Sequence, residues 1–308
     1  MSNLFGNPHL ETKRSLNDYF IVKPFSVLNT MEQGWMRRKA WWCEIITNRG
    51  KSRESVLFKK SGKETTKLGN TIQTFNNGVS LFDPVLSEAM VRWFSEKGWV
   101  ILDPFAGDES RGFVSCYLER NYVGIELRQE QVNLNRDRVK EAGLTGYKYI
   151  CDTSLNMDKH VPMEAVDMIL TCPPYAFLEK YSDNPEDLSN MSVEDFFRVY
   201  DHILNKTYSV LKNNRFAVVV VSEVRDKTGG YIGLVNKTIE SMEKAGYMYY
   251  NEIILLNNVG TLRFRVGNQM NSGRKIGRLH QNVLVFYKGN ASKIKENFSK
   301  LIGDDNEE

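Results

Sequence analysis

Nowhere does this 308-residue chain carry the roughly 18 consecutive apolar residues of a membrane span. Its opening residues, Met1-Ser2-Asn3-Leu4-Phe5-Gly6, show no secretory-signal pattern. Cysteine is scarce, and the four present, Cys43, Cys116, Cys151 and Cys172, lack the paired spacing of a structural zinc site. We therefore expect a cytoplasmic, reduced protein with no membrane contact and no metal. No internal repeat is visible. The net charge of +3 is too small to announce a nucleic-acid partner by itself. Acid is missing locally, however, because no Asp or Glu occurs from Ile253 to Lys295.

What is present starts with the stretch Thr171-Cys172-Pro173-Pro174-Tyr175, which follows the apolar run Ala165–Leu170. The run reads as a buried strand. Each proline removes an N–H and fixes φ, so the chain leaves the sheet in one direction with carbonyls exposed. Tyr175 sets a flat ring beside those acceptors. Such an arrangement suits a planar base bearing an amino group, as an enzyme needs once a base has left the stack.

Three acids end three earlier strands. Trp99–Leu102 leads into Asp103, then Pro104-Phe105-Ala106-Gly107 and a helix from Ser110 to about Leu118. The strand Asn121–Leu127 contains Glu126, about 20 residues after Gly107, the separation expected of an acid that accepts both hydroxyls of a ribose. Tyr147–Cys151 ends at Asp152, well placed for an adenine amino group. In open α/β sheets ligands bind past these carboxyl ends, where a glycine lets backbone approach closely.

The pair Asp103–Gly107 and Thr171–Tyr175 resembles the S-adenosylmethionine (SAM) motif and the catalytic motif of DNA amino-methyltransferases, which methylate N4 of cytosine or N6 of adenine. The resemblance is closest to methylases carried by phages and prophages. It spans roughly residues 35–289, through Trp35…Arg38-Lys39…Trp41, Val79–Leu86, Gly124–Gln131, Tyr181–Ser189 and His280–Gly289. It implies SAM as cofactor, held by Phe82, Asp83, Pro84, Asp103, Phe105, Gly107, Glu126, Leu127 and Asp152. Phe82-Asp83-Pro84 looks like the motif beside the methionine end. Cys172, Pro173, Pro174 and Tyr175 would carry catalysis on a base flipped from duplex DNA. Because the cofactor motif precedes the catalytic one, the chain is permuted relative to many such enzymes. The resemblance also implies a bacterial host cell and leaves monomer and homodimer both open.

Two departures bear on chemistry. The usual glycine loop continues with a second glycine and a small hydroxyl residue, whereas this one reads Gly107-Asp108-Glu109-Ser110-Arg111-Gly112, and Cys172 replaces the usual Asp, Asn or Ser. Thr-Ser-Pro-Pro-Tyr is common among N4-cytosine enzymes and differs here by one atom, so cytosine is slightly favoured over adenine. A neutral thiol is a weak acceptor, so positioning would supply most of the acceleration. Covalent C5 methylation by Cys172 fits poorly, since its nucleophile follows a proline. RNA base methylation and a non-catalytic SAM-binding DNA regulator remain as alternatives.

The acid-free segment clusters Arg263, Arg265, Arg274, Lys275 and Arg278 around Asn, Gln and Gly residues, the composition of a loop that neutralises phosphates and reaches base edges. A second basic stretch runs through Arg37–Lys39, Arg49, Lys51 and Arg53, among tryptophans read mainly as core. The whole reads as an α/β, Rossmann-like doubly wound sheet, mostly parallel with an antiparallel edge pair at Tyr247–Leu256 and Asn282–Tyr287. The expected division is an accessory region at 1–75 and a methyltransferase domain at 76–290. Within that domain 257–280 is the target-recognition loop, and 291–308 forms an acidic tail.

Overall fold

A computed structural model describes residues 19–46, 81–176 and 181–301. Arg49, Lys51, Arg53, Val79, Ser80 and the acidic end from Gly303 lie outside the described residues. In chain order the principal elements are β1 (Val27–Asn29), α1 (Gln33–Ile45), α2 (Pro84–Phe94), β2 (Val100–Asp103), α3 (Ser110–Tyr117), β3 (Asn121–Glu126), α4 (Gln129–Glu141), β4 (Tyr147–Cys151), α5 (Met157–His160), β5 (Val166–Thr171), α6 (Val193–Val210), β6 (Leu211–Val221), α7 (Leu234–Ala245), β7 (Met248–Leu256), α8 (Leu262–Gly273), β8 (His280–Lys288) and α9 (Ile294–Asn297).

The strands form one eight-stranded sheet in the order β1-β7-β8-β6-β5-β2-β3-β4. From β4 to β6 every pairing is parallel. Alternation along the strands feeds two cores. On β5 and β6, Met168, Leu170, Phe216 and Val218 face one side, while Ile169, Ala217 and Val219 face the other. Both faces are thus buried, as parallel sheets require. The chain leaves β2 toward β3 and β4, then returns to place β5 on the other flank. That reversal opens a crevice past the strand ends.

Three expectations need correction. The antiparallel pair exists, but it does not close the sheet. β8 lies inside, antiparallel to both β6 and β7, and the short strand β1 covers the edge by pairing parallel with β7. Helix α1, within the region expected to be accessory, packs on α2 as part of the same core: Trp35 and Trp42 are buried. Trp42 donates to the buried Glu88 (2.8 Å), which also takes Arg38 Nε (2.8 Å) and Nη2 (2.5 Å). Finally, residues 257–280 are not all loop. They contain α8, which buries none of its residues and so shows no apolar periodicity to read.

Local signals explain most boundaries. Asp83 caps α2 by accepting from Val85 N, with Pro84 at the first helical position. Gly246, at φ 109°, ends α7 in a conformation glycine adopts without strain. The start of α7 falls at Leu234, where the Glu223 carboxylate accepts from Gly233, Leu234 and Val235 N–H. A remote acid does the capping, so sequence-local rules misplace it. Among the described residues no helix is long and apolar enough to cross a membrane.

Candidate active site

The carboxyl ends of β2, β3, β4 and β5 open onto one cavity of about 350 Å³. Gly107 stands at its floor with φ 52°, a turn that costs other residues steric strain. Its N–H donates to Glu126 Oε2 (3.0 Å), while Arg128 N–H donates to Oε1 (2.9 Å), so two backbone groups fix this carboxylate at the wall. Asp152 lies beside it. His160 Nε2 (2.6 Å) and Asn156 Nδ2 (2.9 Å) hold its two oxygens. The bond with His160, followed by that with Asn156, keeps the Asp152 carboxyl below the usual range against a mild burial effect.

Asp103 behaves differently. It is fully buried and does not line the cavity. Its oxygens accept from Arg111 Nε (2.5 Å), Tyr122 Oη (2.9 Å), Thr171 Oγ1 (2.7 Å) and Phe105 N (3.1 Å). The acid therefore clamps β2, β3, β5 and α3 together and has no capacity left for a ligand. Pro84 is likewise buried in α2 and absent from the wall, whereas Phe82, Asp83, Phe105 and Leu127 line it. Asp83 Oδ2 takes Lys39 Nζ (2.8 Å) and Trp35 Nε1 (3.3 Å), which ties the cavity to α1.

Cys172, Pro173, Pro174 and Tyr175 line the same cavity. Tyr175 Oη accepts from Gln281 Nε2 (2.9 Å) and meets Cys172 Sγ at 3.7 Å. Burial pushes the Cys172 thiol above its ordinary value, outweighing the nearby Arg111 guanidinium. Burial also raises Tyr175 well above the ordinary phenol value, assisted by Cys172. Both groups are therefore neutral at physiological pH. Ala176 follows with φ 48°, a sparsely populated conformation for a non-glycine residue at the point where the chain leaves the motif.

Sequence reasoning missed several wall residues. Tyr181, Glu186, Asp187 and Leu188 close one side. Asp187 folds that segment by accepting from Ser182 Oγ (2.8 Å) and Ser189 N (2.9 Å). Lys39, Arg111 and Gln281 also reach the wall from α1, α3 and β8. Gly112 makes the α3 approach possible, since a Cβ there would lie 2.0 Å from Tyr149 Oη and 2.8 Å from the Tyr122 ring. The roots of the acid-free segment, Asn257 and Asn258 before α8 and Gln281 after it, border the cavity as well.

Arg263, Arg265, Arg274 and Lys275 stand exposed on α8 and just beyond it. The structure places Arg278 elsewhere: it is half-buried and bonded to Ser222 Oγ (3.0 Å) and Asn282 Oδ1 (2.5 Å).

SAM fits the donor set of this cavity. The carboxylates of Asp83, Asp108, Glu126, Asp152, Glu186 and Asp187 outnumber Lys39, Arg111 and Arg128 around it, a balance that favours a cationic ligand. Glu126 beside Gly107 offers paired carboxylate acceptors, the acceptor set a ribose would need. Apolar surfaces of Phe105, Ile125, Leu127 and Ile203 supply the walls for a ring.

A search of curated proteins finds no match. Among solved structures the fold is similar to TrmN from Thermus thermophilus, at 16% identity and TM-score 0.47, covering 72% of this chain and 53% of that one. The chain thus spans about half the length of TrmN. It is also similar to an rRNA methylase from Streptococcus thermophilus (9% identity, TM-score 0.44, 69% and 100% covered). A TehB-like SAM-dependent methyltransferase from Corynebacterium glutamicum gives 14% identity and TM-score 0.43, with 71% and 97% covered. Likenesses this distant add nothing to what the strand order already gives. The informative match is to the family model described as DNA methylase, over residues 18–137, which takes in α1, the Asp83 cap, the Gly107 turn and Glu126. Over residues 18–137, then, the chain matches the DNA methylase family model, and its sheet order and cavity suit a SAM-dependent methyltransferase.

Proposed function

We propose that this enzyme methylates the exocyclic amino group of a base flipped out of duplex DNA, with N4 of cytosine favoured over N6 of adenine. One observation carries the reading. A single cavity is lined both by Glu126, the acid read as a ribose acceptor, and by Cys172–Tyr175, and the residues flanking a basic arm, Asn257, Asn258 and Gln281, line it too. SAM supplies an electrophilic methyl group when bound. The residues supply orientation.

An exocyclic amine conjugated with its ring has a poorly available lone pair. The carbonyl of Pro173 accepts one of its hydrogens, which favours the pyramidal, nucleophilic form. Proline makes this acceptor dependable, because Pro173 and Pro174 carry no N–H and fix the direction of the chain. Cys172 contributes the second contact through its carbonyl or its neutral sulfur. Tyr175, pinned by Gln281, offers the stacking face. Well-oriented reactants gain up to about 7–11 kcal/mol over free collision, so positioning suffices as the principal source of rate. The phosphates cannot approach the acid-lined cavity at low cost, and the exposed cations of α8 offer them a separate seat.

The test is incubation of the protein with methyl-labelled SAM and either duplex DNA or RNA, followed by nucleoside analysis. Label in N4-methylcytosine of DNA is expected. Label in N6-methyladenine would transfer the reading to adenine, and label confined to RNA, or none at all, would overturn it.

A further inference from the structure

The glycine loop departs from the family pattern at Asp108, Glu109 and Arg111, and these side chains divide into two groups. Glu109 is buried away from the cavity against Arg138 Nη1 (2.5 Å). Asp108 and Arg111 line the cavity. Arg111 is only 4% exposed. Its Nε is committed to Asp103, and Nη2 donates to the carbonyls of Phe105 (2.8 Å) and Ala106 (3.0 Å). Its plane lies over the Phe82 ring, 4.5 Å from the centroid. The remaining nitrogen, Nη1, has no hydrogen-bond partner among the described residues, and Arg111 lines the cavity.

We propose that Nη1 of Arg111 holds the carboxylate of the cofactor's methionine end, and that Asp108 accepts from its ammonium group. This rests on SAM as cofactor and adds how its amino-acid end is recognised. The geometry favours Arg111 over the other cations of the wall. Lys39 is half exposed and already paired with Asp83 at 2.8 Å, and the Arg128 side chain turns toward Glu130. Arg111 alone of the three is buried, fixed at three points and backed by an aromatic face. Its rigid planar fork matches a carboxylate, whereas an ammonium would act only as a point charge. Asp103 cancels one unit of charge behind it, so the carboxylate meets a neutralised pair with an unspent donor. Asp108, held by Phe82 N–H (3.3 Å) and Ser110 N–H (3.3 Å), keeps its charge available for the ammonium group. The loop thus presents a clamp for both charged groups of the amino-acid end.

Titration calorimetry tests this with SAM and with decarboxylated SAM, in which hydrogen replaces the carboxylate. Wild type is expected to bind the decarboxylated ligand about tenfold more weakly or worse, the range for a charge-assisted hydrogen bond. Arg111→Lys keeps a charge for Asp103 but loses the fork, and should bind both ligands alike at the weaker value. Lys39→Met should keep the wild-type discrimination. Equal affinities in wild type, discrimination retained by folded Arg111→Lys, or discrimination lost in Lys39→Met would each overturn the proposal. If Arg111→Lys does not fold, the wild-type and Lys39→Met measurements decide it. Wild type that binds neither ligand would instead sink the cofactor assignment.

Discussion

The cavity wall and the α8 arm are both charged, yet they handle charge in opposite ways. In the wall, carboxylates are fastened before any ligand arrives, Glu126 by two backbone N–H groups and Asp152 by His160 and Asn156, and behind the wall Asp103 is held by Arg111, Tyr122 and Thr171. On the arm, Arg263, Arg265, Arg274 and Lys275 are exposed with no ion pair among the described residues. A small ligand read atom by atom needs preorganised partners, because reorganising them would consume the binding energy. A phosphate backbone needs cations whose charge is still available, and long exposed side chains deliver it in many geometries. On the function proposed above, rigidity serves the cofactor and adaptability the polymer.

The largest predicted effect separates structural charge from ligand-binding charge inside the wall. Asp103→Ala leaves Arg111 buried without its partner, and breaking a buried pair in this way costs about 3–5 kcal/mol. The denaturation midpoint should fall steeply. A variant of unchanged stability that has lost only SAM affinity would return Asp103 to the cofactor site. Next comes Glu126→Ala, expected to weaken SAM binding by about 1.5–3 kcal/mol with the fold retained. Unchanged affinity by calorimetry in a folded variant would remove Glu126 from the ribose. Tyr175→Ala should cost about 1–3 kcal/mol of base stacking. It should raise the KM for DNA while SAM affinity stays level, and the opposite pattern would assign the ring to the cofactor.

These cases also show what could be read from residues alone. Strand ends were legible because β3 stops at an acid and β4 and β5 are followed within two residues by an acid or a proline, and the structure brings the spaced pair Gly107 and Glu126 into one hydrogen bond. Asp103 was legible as a strand-end acid but not as a buried clamp, since its partners Tyr122 and Thr171 are distant in sequence. Arg111 hid in the same way: a basic residue in a short helix reads as surface unless Gly112 is known to press that helix onto Tyr122 and Tyr149. The wall segment Tyr181–Leu188 has no periodicity, and its fold depends on Asp187. Helix α8 escaped notice for the complementary reason. With none of its residues buried, it lacks the apolar stripe by which helices are recognised.

The arm offers a gentler test. Arg263→Ala, Arg265→Ala and Arg274→Ala should each lower the salt dependence of DNA binding by about one unit of slope. Stability should change by no more than about 0.5 kcal/mol, as for other exposed positions. Arg278→Ala serves as the internal contrast. It removes bonds to Ser222 and Asn282 at the start of β8, so it should lower stability as well as affinity. If the three exposed variants bind DNA like wild type across a salt series, phosphate recognition lies outside α8.

The smallest effect is expected at Cys172, and it discriminates between chemistries. Its sulfur sits 3.7 Å from Tyr175 Oη in a buried setting that pushes the thiol upward, and the Arg111 charge only partly opposes this. The usual thiol value is near 8.5. With the folded value above that, the proton stays on sulfur across roughly pH 6 to 8.5. A neutral thiol assists by contact alone, and a hydroxyl of nearly the same shape can replace it. Cys172→Ser should therefore retain activity within a few-fold of wild type, with the same pH profile over that interval. A route through covalent attack on the base needs the thiolate, so its rate would climb with pH as the thiol ionises. It would also trap the wild-type enzyme on DNA carrying a fluorinated cytosine, and Cys172→Ser would be inert. An inactive, folded serine variant together with a trapped adduct would overturn direct transfer to the amine.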